Sequence, residues 1–115
     1  MEFKEIIKKA KKIKDDYARL NKVEGYKPWG LEEHVQGLVG DVGDLTKLMM
    51  AINGFRFSDN KGIDSGMAKE LADCLLSVVM IAGELNIDLE KELLKNIKKL
   101  EDGISERKVL NPHTN

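Results

Sequence analysis

Apolar residues recur by threes and fours along most of this chain, and polar residues fill the intervals. Phe3, Ile6, Ile7, Ala10, Ile13, Tyr17 and Leu20 form one such stripe, which predicts a first helix over about 3–20. Lys4, Lys8, Lys11, Lys12 and Asp15 occupy its opposite face, read as a solvated surface because Glu2, Glu5, Asp15 and Asp16 interrupt the lysines. Gly25 and Pro28 then punctuate a connection over 21–30. A second stripe runs Leu31, Val35, Leu38, Val42, Leu45, Met49 and Ile52. Gly30 is a tolerable N-cap for it, Glu32 and Glu33 suit the positive end of the helix dipole, and Asn53-Gly54 ends it.

Residues 55–65 read as a polar loop, long enough to be functional, in which Phe55, Arg56 and Phe57 pack the loop itself. A third helix is expected from about Asp64 or Ser65 to Leu85. A fourth has Asp88 as its N-cap, Leu89, Leu93, Leu94, Ile97 and Leu100 on its apolar side, and Gly103 at its end. The tail over 104–115 is expected to fray. The third helix departs from a single stripe. Its apolar residues, from Leu71 through Val79 to Leu85, occupy every face, and Ser77 alone breaks the run from Cys74 to Gly83. A helix apolar all round is buried all round, and four helices of one chain hardly supply that cover. The pattern therefore predicts an all-α, four-helix bundle-type subunit completed by self-association.

Composition narrows the class. At 115 residues the chain is one domain, able to bury roughly two thirds of its unfolded surface but with little margin as a monomer. The net charge of −1 argues against a nucleic-acid polymer as partner. Cys74 is the only cysteine, which excludes an internal disulfide and fits a reducing, cytoplasmic setting. No segment is apolar enough for a membrane span or a secretory signal.

Two pairs of acids interrupt the apolar helices. Asp41 and Asp44 stand three apart in the second, and Glu70 and Asp73 three apart in the third. Residues so spaced share a helix face, so two antiparallel helices can bring four carboxylates to one point. Four like charges there need a cation, and oxygen-only ligands favour a hard ion, Mg²⁺ or Mn²⁺. Ordinary surface acids paired with lysines are the simpler alternative. Gly43, between the two aspartates, leaves room for a neighbouring helix or ligand. The stretch 59–64 fails as a calcium loop on its spacing, and no Gly-x-x-x-x-Gly-Lys phosphate loop is present.

Gly37-Leu38-Val39-Gly40-Asp41-Val42-Gly43-Asp44-Leu45 resembles the first motif of the MazG-like nucleotide pyrophosphohydrolases, and Lys69-Glu70-Leu71-Ala72-Asp73-Cys74 resembles the second. Lys27-Pro28-Trp29-Gly30-Leu31 is similar to the tryptophan-containing entry to that family's second helix, and Asn86-Ile87-Asp88-Leu89 to its link into the last. The resemblance covers about 17–100. It implies a homodimer or homotetramer that hydrolyses nucleoside triphosphates between the α and β phosphates, with Mg²⁺ or Mn²⁺ on Asp41, Asp44, Glu70 and Asp73, which are also the catalytic set. Trp29, Lys47, Lys95, Asn96 and Lys99 are the candidates for holding the nucleotide. Trp29 is also suited to anchor the helix entry, and His34 is expected to face water. The chain departs from the family where aspartates replace glutamates at 41 and 44 and where Gly40 replaces an acid. The alternative is a weakened, non-catalytic relative that binds a nucleotide or a protein partner.

Overall fold

The computed structural model describes residues 2–55 and 63–110. Four helices follow in order: α1 (Phe3–Val23), α2 (Leu31–Ile52), α3 (Ile63–Glu84) and α4 (Leu89–Leu110). No strand occurs among the described residues, so the fold is all-α. The expected boundaries hold within a few residues for α1, α2 and α3. The fourth helix does not stop at Gly103; it continues through it to Leu110. A single glycine costs a helix about 1 kcal/mol, and the good helix formers on either side outweigh it. The expected fraying of 104–115 is thus corrected for 104–110, and 111–115 lie outside the described residues.

The helix ends follow from local chemistry. Gly54 takes a left-handed conformation (φ 80°), and the Gly54 and Phe55 amides donate to the Ala51 and Met50 carbonyls, closing the last turn of α2. Asp88 Oδ1 accepts the Lys91 amide at 3.1 Å and caps α4 as its sequence predicts.

α2 and α3 form the main packed pair. Their antiparallel sense is fixed by contacts that converge along the chain: Leu48 lies against Gly66, Asp44 beside Glu70, and Asp41 on Ser77. A Cβ at Gly66 would make ordinary contact with the Leu48 side chain, at 3.4 Å. α1 packs on α3 and is tied to it by Lys14 Nζ donating to Glu84 Oε1 at 2.8 Å. α4 makes only marginal contact with the other helices.

The result is an open arrangement of four helices. Among the described residues, the buried apolar ones are Ala10, Val79 and Ala82. Leu71 and Leu75, expected to be buried on α3, are each about half exposed (55% and 52%), as are Leu93, Ile97 and Leu100 on α4. The radius of gyration is 19.0 Å, against about 13 Å for a compact domain of this length. Gly43 and Gly40 have no neighbour within 4 Å of a built Cβ, so the room that Gly43 leaves for a helix or a ligand is not taken by a helix of the single chain. No helix among the described residues is long and apolar enough to cross a membrane.

The Lys14–Glu84 pair gives one pH prediction. The Lys14 hydrogen bond holds the Glu84 carboxyl below its ordinary range, with burial opposing. A depressed carboxyl contributes stability above its unfolded pKa and loses it as pH falls through the folded value. Lys14→Met is expected to cost about 0.5–1 kcal/mol at neutral pH. The cost should vanish below the ordinary glutamate range, as read by denaturant unfolding at a series of pH values.

Candidate metal centre and adjoining cavity

α2 and α3 bring together three of the four predicted carboxylates. One oxygen from each of Asp41, Asp44 and Glu70 lies within 4.8 Å of the others. The i, i+3 spacing puts both aspartates on the face of α2 that meets α3, and the antiparallel register sets Glu70 opposite them. Oxygens on opposite sides of an octahedral Mg²⁺ stand about 4.2 Å apart. Adjacent oxygens on such an ion stand about 3 Å apart, so side-chain rotation must draw the three together by up to about 2 Å for them to share one ion. An all-oxygen donor set, with Asp44 exposed and Asp41 and Glu70 part-buried, suits a hard divalent cation.

Asp73 is not drawn into this group. Its Oδ2 accepts from Lys69 Nζ at 2.9 Å, and Lys69 also lies 3.8 Å from Glu70 Oε1. The Lys69 ammonium is pushed up by the Asp73 hydrogen bond and charge, and by the nearby Glu70 and Asp41. Part of the ordinary lysine pairing weighed as the simpler alternative is thus present, on Asp73. Cys74, expected in the core, is half-buried; desolvation and the charges of Asp41, Glu70, Asp73 and Asp44 push its thiol up. A raised thiol pKa leaves Cys74 protonated and unreactive at neutral pH.

A cavity of about 340 Å³ adjoins the carboxylates, lined by residues of α1, the α1–α2 connection, α2 and α3: Lys14, Tyr17, Ala18, Asn21, Trp29, His34, Ser77 and Met80. Trp29 is 54% exposed. Its indole lies over Gly37, where a built Cβ would meet the ring at 3.1 Å, and packs edge-on against the His34 imidazole with centroids 5.5 Å apart and planes at 66°. Trp29 therefore anchors the entry of α2, one of the two roles its sequence position suggested, and lines the cavity.

His34 corrects the expectation that it faces water. It is only 6% exposed, and its buried Nε2 has no hydrogen-bond partner. The α2 stripe gives no warning of this, because His34 lies beside that stripe and is covered by Trp29 from the connection. Ser77 was also missed as a site residue, although it is the one polar break in the α3 apolar run. Its Oγ donates to Asp41 Oδ2 at 2.7 Å.

The remaining candidates stand apart. Lys47 is exposed on α2, one turn beyond Asp44. Lys95, Asn96 and Lys99 lie on α4, and Asn96 and Lys99 line a groove of α4 itself with Leu100, Gly103, Ile104 and Arg107. Within one chain the marginal packing of α4 does not bring them to the carboxylates. Phe55 is 78% exposed and packs no loop core; Arg56, Phe57 and the rejected calcium loop lie outside the described residues or their side chains do. No protein-family model and no curated protein matches the chain.

Proposed function

We propose that this protein is a divalent-metal-dependent nucleoside triphosphate pyrophosphohydrolase of the MazG-like kind, working as a homo-oligomer. The observation that carries this reading is the convergence of Asp41, Asp44 and Glu70 from two antiparallel helices to within 4.8 Å, at the positions of the two motifs it resembles. The adjoining cavity, with an aromatic wall and an unpartnered imidazole, supports an organic group bound beside the ion.

Asp41, Asp44 and Glu70 would hold the ion. When bound, Mg²⁺ neutralises phosphate charge and makes a coordinated water more acidic. Trp29, packed on the His34 ring, offers the nucleoside an aromatic surface. Water adds to the α-phosphorus, the bond to the β-bridging oxygen breaks, and pyrophosphate leaves with that electron pair. A carboxylate of the set takes the proton lost by water. Asp73, held by Lys69, keeps a negative charge beside the site. Lys47 supplies a cation within one turn of Asp44. Lys95, Asn96 and Lys99 reach a site only from a neighbouring subunit, which accords with the open shape of one chain.

A panel of ribo- and deoxynucleoside triphosphates, modified bases included, tests the reading. With Mg²⁺, at least one member is expected to give equal amounts of monophosphate and pyrophosphate. Chelation should stop release. No turnover across the panel would reject the enzyme in favour of a protein that only binds.

A further inference from the structure

Ser77 has no part in the motifs, yet it touches both features of the site. It follows Glu70 and Asp73 on α3 at spacings of seven and four residues, so all three share one helix face. Its Oγ lies 2.7 Å from Asp41 Oδ2, across 36 residues of sequence, with both groups part-buried. A carboxylate only accepts, so the hydroxyl proton is committed to Asp41. The same side chain lines the cavity whose wall includes the His34 ring. Buried polar atoms normally find partners, and His34 Nε2 has none.

We propose that Ser77 is a positioning residue: its hydroxyl fixes the Asp41 carboxylate toward Asp44 and Glu70 before an ion arrives, and links the cavity wall to the metal centre. The inference rests on the metal-site reading given above. An aspartate has two free torsions, and a hydrogen bond to one oxygen sets both. The short aspartate otherwise swings away from two like charges, because Asp44 and Glu70 repel it when no cation is bound. A donor fixed on the opposite helix opposes that motion and leaves the second oxygen to the ion. Groups that orient ligands in this way commonly change metal affinity by 10- to 100-fold when removed. Ser77 also explains its own place in an apolar run. Alanine would fill that position on α3 with no polar atom to satisfy, and only a hydroxyl reaches Asp41.

The test is a Mn²⁺ titration of the full chain, followed by loss of the free-ion electron paramagnetic resonance signal, with no nucleotide present. Wild type, Ser77→Ala, Ser77→Thr and Glu70→Gln are compared, and metal-free melting checks that each is folded. Ser77→Ala is expected to bind Mn²⁺ about tenfold more weakly, Ser77→Thr within about twofold of wild type, and Glu70→Gln more weakly than either. Ser77→Ala binding like wild type while Glu70→Gln fails would overturn the role of Ser77 and leave the metal centre standing. Equal weakening by alanine and threonine would overturn it too, since the hydroxyl would then not be the agent. Wild-type protein that takes up no Mn²⁺ would remove the metal centre and this inference together.

Discussion

Glu70→Gln is expected to lower Mg²⁺-dependent pyrophosphate release by at least about a hundredfold. The substitution keeps the volume of the side chain and removes one charge. Glu70 is the sole α3 member of the three carboxylates that converge, so its loss leaves the ion with ligands from α2 alone. The effect on folding should have the opposite sign. Without an ion, Asp41, Asp44 and Glu70 repel one another, and neutralising one relieves that repulsion. Metal-free Glu70→Gln protein should therefore melt no lower than wild type. An inactive variant that is also less stable would indicate a structural role for Glu70 instead.

The second large effect concerns α4. Leu93, Ile97, Leu100 and Ile104 form one stripe at helical spacing, and all four are 42–68% exposed while α4 hardly touches the rest of its own chain. If that stripe is buried against another subunit, Ile97→Glu should yield a 12.9 kDa particle in light scattering, where wild type gives a multiple of that mass. Burial of such a side chain contributes about 1.5–3 kcal/mol. In a two-fold dimer each substitution acts twice, so the melting temperature should drop by about 10 °C or more. A wild-type particle of 12.9 kDa at micromolar concentration would reject the assembly. So would an Ile97→Glu variant with unchanged mass and melting.

The helices were legible because their signals are local. Stripes at 3.6-residue spacing, Gly54, and Asp88 with the amide of Lys91 each act within a few residues. The acidic pairs were legible for the same reason: a spacing of three fixes the face, and a loop between α2 and α3 favours antiparallel packing. What the sequence left open depends on contacts between distant residues. His34 looks like a surface residue of α2 until Trp29 folds over Gly37 and covers it. Asp73 looks equivalent to Glu70, yet its position one turn further along α3 gives it to Lys69. Gly103 looks like a stop, but no capping residue or proline follows it within α4, and the helix runs on. Overall burial was misjudged for one chain. The apolar content of α3 predicts burial on every face, and in the single chain Leu71, Leu75 and Leu76 stand exposed instead.

The unpaired α4 and the nucleotide candidates on it belong to one question. Lys95, Asn96 and Lys99 share a helix with the exposed apolar stripe, so whatever covers the stripe also decides where those polar side chains lie. A partner subunit seated on α4 would carry them toward its own carboxylates or leave them in solvent. Lys99→Ala should then raise KM for the triphosphate with little change in Mn²⁺ affinity if it reaches a neighbouring site, and change neither if it does not.

Phosphorus-31 NMR of the turnover products in oxygen-18 water distinguishes attack at the α-phosphorus from every other outcome. With Mg²⁺ and the best triphosphate of the panel, monophosphate and pyrophosphate are expected in equal amounts. One labelled oxygen is expected on the monophosphate, and no turnover in chelator. Diphosphate with inorganic phosphate, label on the pyrophosphate, or turnover that persists in chelator would contradict metal-dependent attack there.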